Sequence, residues 1–385
     1  MLFIKDGRLL TMEGKVYEKA SILVRDGKIQ EIGEELVAPL DAEVIDAKGR
    51  IITPGLIDAH CHLGLWEDAI GFEGADGNEA TDPVTPHMRA IDGINPMDRT
   101  FEEARQGGIT TVASGPGSAN VIGGQFAAVK TWGRRIDDMI LQAPIAMKCA
   151  FGENPKRVYH DRKQSPSTRM ATAAILRDTL YRAKEYAEKL EAAKEDPTKK
   201  PGYDMKMEAL LPVIRKEIPL KAHAHRADDI FTAIRIAKEL DVKITLEHCT
   251  EGHLIVEELK QEGLYAVVGP SLSERSKYEL KNLTFETAGI LSNAGIKIAI
   301  MTDHPVIPLQ YLPMCAALAV KAGMDETEAL KAITIYAAEI LGIDHRVGSI
   351  REGKDADLVI WQGHPFELQS TVEYTIINGS IVYKK

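Results

Sequence analysis

The sequence predicts an α/β barrel with a small all-β satellite, and three observations carry that expectation. Residues 51–343 alternate short apolar runs with amphipathic helical stretches, the pattern of βα units. Both ends of the chain are instead strand-rich and punctuated by Asp-Gly or Asn-Gly turns. Histidine or aspartate closes four of the apolar runs, at the strand ends where barrel enzymes carry their functional groups. The expected architecture is a TIM (β/α)8 barrel over residues 51–344, with residues 1–50 and 345–385 pairing as one small β-sandwich.

Taken in order, Leu2-Phe3-Ile4 runs into Asp6-Gly7, Ser21-Ile22-Leu23-Val24 into Asp26-Gly27, and Ile29-Gln30-Glu31-Ile32 into Gly33. These turn residues accept positive φ, so the first fifty residues read as short strands. Barrel strands are expected at 52–58, 110–114, 145–151, 220–225, 243–248, 265–269 and 297–302, with an eighth near 126–131. Helices are expected at 170–195, 228–240 and 325–341. In the second, Ile230, Ala233, Ile234, Ala237 and Leu240 recur at helical spacing and form its apolar stripe. Residues 64–96 are polar, rich in glycine and proline, and too long for a simple βα loop, so they are expected to lid the barrel mouth. The charged stretch 182–206 reads as a solvated helix followed by a loop at 197–202. At the far end, 356–361 is a strand, and 372–377 leads through Asn378-Gly379 into 381–383.

A chain of 385 residues has room for the barrel and its satellite, and 44% hydrophobic with 27% charged residues suits a globular protein with a sizeable core. The net charge of -10 argues against nucleic-acid binding, which needs a basic face. No apolar run approaches the roughly 18 residues that a membrane span needs. The N-terminus meets Lys5 before any signal-peptide core can form, so a cytoplasmic location is expected. Cys61, Cys149, Cys249 and Cys315 form no CxxC pair and read as free, buried thiols of a reducing compartment.

The chemistry lies at the strand ends. In Asp58-Ala59-His60-Cys61-His62, period-two alternation sends His60 and His62 to one side of their strand. Imidazole is a good ligand for zinc and similar metals. A lone His-x-His pair could equally be a surface or core feature. Three further strand ends argue otherwise: Lys221-Ala222-His223-Ala224-His225, Thr245-Leu246-Glu247-His248, and Met301-Thr302-Asp303.

The run Ile52-Thr53-Pro54-Gly55-Leu56-Ile57-Asp58-Ala59-His60-Cys61-His62 resembles the first-strand motif of the amidohydrolase superfamily, in the branch related to imidazolonepropionase. Residues 24–33 resemble that family's opening strands, and 348–359 its closing motif. The resemblance implies that His60 and His62 hold the more buried metal, and that His223 and His248 hold a second, or complete the shell of a single one. Asp303 would bind metal and serve as general base, with His248 helping to stabilise the oxyanion. Lys148, in 145–151, takes the place of a carboxylated lysine that bridges two metals, with Glu153 as the competing bridge. A lysine is costly to bury as a cation, so conversion to an anionic carbamate beside metal is physically sensible. His225 falls at a substrate-contacting position, and Arg226 and His304 are further candidates for substrate contact; Arg157 and Arg169 read as surface residues.

The implied cofactor is one or two divalent ions, zinc by ligand chemistry, and the implied partner is a small molecule, with a homo-oligomer left open. The implied reaction is hydrolysis of a C–N bond in an amide, cyclic amide or related substrate. Two other readings compete. Against a mononuclear deaminase, Arg226 stands where such relatives carry a glutamate, three residues after the fifth-strand histidine; against a non-catalytic relative, every expected ligand position is filled. Neither chain end is long enough to form a stable sheet with its own core, so deleting residues 348–385 should give insoluble protein. A soluble truncation that melts cooperatively would show that the ends fold independently.

Overall fold

Two eight-stranded sheets divide the chain in the computed structural model, which describes residues 1–68 and 70–385. The first strands are β1 (Leu2–Leu10), β2 (Val16–Arg25), β3 (Lys28–Gly33), β4 (Glu43–Asp46) and β5 (Ile51–Pro54). The barrel follows with β6 (Leu56–Cys61), β7 (Ile109–Ser114), β8 (Ile122–Lys130), β9 (Ile140–Ala150), β10 (Leu220–Ala224), β11 (Ile244–His248), β12 (Ala266–Val268) and β13 (Ile298–Ile300). The chain ends in β14 (Leu358–Trp361), β15 (Val372–Ile377) and β16 (Ser380–Lys384).

The two chain ends share one sheet, in the order β16-β15-β14-β5-β1-β2-β3, with β4 also on β1. Its core includes Leu2, Ile4, Ile22, Ile52, Leu358 and Ile376. The strand expected at 52–58 is divided between the sheets: β5 pairs with β1 and β14, whereas β6 opens the barrel. Gly55 marks the change because a Cβ there would stand 2.1 Å from Thr110 Oγ1.

The barrel runs β6 to β13 in chain order and is parallel except at β8, which is antiparallel to both β7 and β9. The eighth strand expected near 126–131 is therefore third in the barrel and runs backwards. Its connections, 115–121 and 131–139, are shorter than the dozen or so residues a parallel crossover needs. Running backwards brings Lys130 to the barrel floor, where it pairs with Asp357 and, at 3.1 Å, with Asp355. Asp355 also receives Lys28 at 2.5 Å and Arg346 at 2.8 Å, so a buried ion network ties the terminal sheet to the floor.

Helices cover the outer faces of Leu220, Ala222, Leu246 and Ile298, while Phe126, Val267, Ala299 and Met301 fill the interior. The helix Arg169–Ala192 starts at Thr168, whose hydroxyl accepts from the Ala171 N–H. The stripe expected on Ala227–Leu240 is buried at all five positions. The helix expected at 325–341 is two, Glu326–Ala332 and Ile335–Leu341. They part at Thr334, which leaves helical geometry at φ -141 and ψ -100 and donates its hydroxyl to Leu330 O at 2.6 Å. Among the described residues, no helix is long and apolar enough to cross a membrane.

Side chains stitch the seam between β6 and β13. Thr302 donates both its N–H (2.9 Å) and its hydroxyl (2.6 Å) to Asp58 Oδ2, and the His60 N–H donates to Asp58 Oδ1 at 3.0 Å. The His62 N–H reaches His304 O at 2.9 Å. Burial lifts the Asp58 carboxyl to about 7, against the lowering effect of its Thr302 and His60 donors. Asp58→Ala leaves three donors without a partner in a dry seam, at about 1–3 kcal/mol each before relaxation. We expect a net loss of about 3 kcal/mol in urea unfolding; a wild-type midpoint would show that packing alone holds the seam.

Candidate metal centre

The strand ends bring two ligand groups together. His60, His62 and Asp303 form one, and His223, His225 and His248 the other; within each, candidate ligand atoms lie within 4.8 Å of one another. The groups adjoin, with ring centroids of His60 and His248 5.4 Å apart. All five histidines are buried, and the Asp303 side chain is 14% exposed.

Three of the rings are fixed in one tautomer by acceptors from other parts of the barrel. His60 Nδ1 donates to Glu247 Oε2 at 2.7 Å, His62 Nδ1 to Gly115 O at 2.7 Å, and His248 Nδ1 to Gly269 O at 2.9 Å. Each Nε2 is thereby left without a proton. His62 Nε2 then faces Asp303 Oδ1 at 3.2 Å, and His60 Nε2 faces the same oxygen at 3.6 Å. Asp303 Oδ1, His248 Nε2 and His223 Nδ1 are buried without a hydrogen-bond partner. Lone pairs converging in a dry site repel unless a cation lies between them, so these residues fit a metal ion.

The electrostatics agree. Burial pushes His60, His223, His225 and His248 well below the usual imidazole range, which keeps them neutral as ligands must be. Burial alone would raise the Asp303 carboxyl, but the basic groups around it, the Lys148 ammonium among them, outweigh it and hold it low, as the carboxylate. The backbone is left-handed at His248 (φ 69), Cys249 (φ 49) and Asp303 (φ 54), a conformation that non-glycine residues keep where the surroundings over-determine it.

Sequence reasoning missed the support beneath the ligands. Glu247 also accepts the Thr245 hydroxyl at 2.7 Å and pairs with Lys221 at 2.9 Å, all inside the barrel. Strict alternation would turn either Glu247 or His248 outward; the positive φ at His248 lets consecutive residues both point in. Lys148 lies beside them, with Nζ 3.0 Å from His60 Nε2, and burial lowers its ammonium to about 8. Phe126 floors the site, its ring 5.2 Å from that of His60.

The remaining expected residues fall in varied places. Glu153 heads the helix Glu153–Asp161, half-buried, and its N–H donates to Glu279; its carboxylate is in neither ligand group. Arg226 pairs with Asp228 at 2.8 Å, and Arg169 with Asp229 at 3.0 Å, while Arg157 is exposed. His304 is buried next to Asp303, and its burial lowers the ring to about 4. Cys61 and Cys249 are buried, and burial raises their thiols, which suits no reactive role. A cleft of about 600 Å³ opens over His62, His223, His225, His248 and Asp303. Trp66 and Asn78, from the 64–96 insertion, line it, and the Trp66 ring packs 4.9 Å from that of His62.

A barrel whose mouth gathers two adjoining groups of side chains that could hold metal ions defines the class: a TIM-like barrel with a candidate metal centre at its mouth. The chain belongs to the amidohydrolase family, whose profile matches residues 51–382. The crystal structure of an amidohydrolase from Thermotoga maritima MSB8 is 46% identical and superposes with a TM-score of 0.97, covering 100% of both chains. Amidohydrolase tasK of Hapsidospora irregularis is 29% identical over 392 residues, and the match takes in 93% of this chain but 39% of that protein. A dihydroorotase of Geotalea daltonii matches over 62 residues only, 15% of its length. Imidazolonepropionase of Paracoccus denitrificans is 25% identical over 420 residues and 99% of each chain, in keeping with the superfamily expected from the motifs.

Glu247→Gln tests the support of His60, since it removes the carboxylate that holds the ring's proton and leaves Lys221 without its counter-charge. Metal affinity should fall about 10- to 100-fold in a chelator competition. Unchanged affinity would show that Glu247 serves packing only.

Proposed function

We propose that the protein hydrolyses a carbon–nitrogen bond in an amide, cyclic amide or related small substrate, at a centre held by His60, His62, His223, His248 and Asp303. The observation that carries this reading is the set of bare ring nitrogens facing a buried carboxylate at the base of a cleft. A divalent ion there, zinc by the nitrogen-rich donor set, would supply a polarised carbonyl and a water acidified from a pKa near 15.7 to about 7. Asp303, held as the carboxylate, takes the proton from the attacking water. As the C–N bond breaks, Asp303 returns that proton to the departing nitrogen. His248 would contribute as a ligand: its one proton is donated to Gly269 O, which leaves none to offer the oxyanion directly.

Lys148 is the favoured bridge between two ions. With its ammonium lowered to about 8, a fraction of the amine is neutral near pH 7. The neutral amine can add carbon dioxide and lose a proton, which gives an anionic carbamate beside His60. Glu153 is the less favoured bridge, being outside both ligand groups. Nothing at Arg226 supports deamination, since its guanidinium is paired with Asp228. The four cysteines are free and buried, in keeping with a cytoplasmic enzyme of small-molecule metabolism.

The test begins with metal analysis of the purified chain and hydrolysis assays over cyclic amides and N-acyl dipeptides. We expect about two ions per chain and turnover on at least one of these classes. Lys148→Ala should take the metal content from about two towards one or fewer, with partial rescue of activity by acetate or propionate, while Glu153→Gln costs less than about 100-fold. A chain that holds no ion and hydrolyses nothing after zinc reconstitution would end this reading. Two ions kept in Lys148→Ala but lost in Glu153→Gln would make Glu153 the bridge.

A further inference from the structure

We propose that His225, expected at a substrate-contacting position, is a metal ligand, so that the second ion is held by three imidazoles: His223, His225 and His248. This rests on the reading of the site as a metal centre and adds to it the composition of the second shell.

The argument starts from the strand. His223 and His225 are two residues apart at the end of β10 and face the same side, as His60 and His62 do at the end of β6. Their ring centroids are 4.7 Å apart, closer than the 5.4 Å between His60 and His62. The His248 ring lies 4.2 Å from His223 and 4.4 Å from His225, so the three rings form a triangle with nearly equal sides. One nitrogen from each falls within 4.8 Å of the others, so an inward shift of no more than about 1.5 Å brings them to the nitrogen–nitrogen edges of about 3.4 Å that metal–nitrogen bonds of about 2.0–2.1 Å require in a tetrahedral shell.

His225 is also held as the other ligands are held. Its Nδ1 meets the Thr250 hydroxyl at 2.7 Å, and the tautomer that donates there leaves Nε2 bare. The ring is 4% exposed, which suits a group fixed in a shell better than one reaching for substrate. A buried carboxylate stands beside the three imidazoles, its charge balanced by the Lys277 ammonium. Glu279 is 1% exposed, and its Oε1 lies 3.7 Å from His225 Nε2 and 3.9 Å from His223 Nε2. The Lys277 ammonium, at 2.7 Å, and the Glu153 N–H, at 3.0 Å, hold that carboxylate in place. Gly152 leaves it the space, since a Cβ there would stand 2.7 Å from Glu279 Oε2.

The test is zinc stoichiometry and affinity in the full-length chain, by atomic emission and chelator competition, on wild type, His225→Ala and Thr250→Val. His225→Ala should lose one ion of about two, with the remaining ion at unchanged affinity. Thr250→Val, which keeps the ring but frees it, should weaken the second ion about 10-fold or more. Thermal unfolding of the metal-free proteins checks that both variants fold. Full zinc content at wild-type affinity in a folded His225→Ala, with only KM raised, would overturn the proposal and make His225 a substrate contact. A wild-type chain with a single ion that His225→Ala retains would overturn it equally. A wild-type chain with no ion would instead remove the metal centre itself, and this proposal with it.

Discussion

Asp58 sets the first and last barrel strands against each other, and the site exists because they meet. The hydrogen-bonded ladder runs from β6 round to β13, and the return from β13 to β6 is made by the His62 N–H on His304 O and by one buried carboxyl group that accepts from Thr302 and from the His60 N–H. Those contacts fix the backbone of both strands within two residues of a ligand: His60 on one side, Asp303 on the other. Keeping a carboxyl in so dry a place is costly, and its lift to about 7 records that cost. The donors arranged around it offset the burial, and the offset is what makes the seam specific in register.

A second constraint follows from the first. A neutral imidazole buried in a closed barrel has a single ring proton and needs an acceptor for it on the side away from the centre. Glu247, Gly115 O and Gly269 O meet that need from three other parts of the barrel. The ligand geometry is thus a property of strand neighbours as much as of the histidines. It also explains why two barrel lysines, Lys148 and Lys221, are tolerated side by side: carboxylates, imidazoles and the face of Phe126 surround them.

The histidines and Asp303 were legible in the sequence because each closes an apolar run, and alternation alone says which way most of them point. Glu247 was not, since its inward direction depends on a left-handed residue that follows it. Glu279 was not either: it lies in the loop after β12, and nothing in its neighbourhood of charged residues distinguishes it from a solvated turn. In the fold, the alternation of strand and helix announced the barrel, yet it hid the start of β8, its place as third strand and its reversed direction, because its two glycines and short connections depart from the βα pattern. Gly55 was read within one strand because the apolar run is continuous across it; the division is a matter of contact with Thr110, which no local pattern encodes.

The reversed strand β8 gives this barrel an unequal folding economy. Most barrel pairings join strands separated by a helix and long stretches of chain, and such contacts close only after a large loss of chain entropy. The meander of β7, β8 and β9 pairs neighbours across short connections, so it holds the most local contacts in the barrel. It also holds Phe126, Lys130 and Lys148, which reach respectively the site floor, the terminal sheet and the ligand cluster. The part of the barrel with the shortest loop closures is therefore the part that reaches both its satellite sheet and its candidate metal centre.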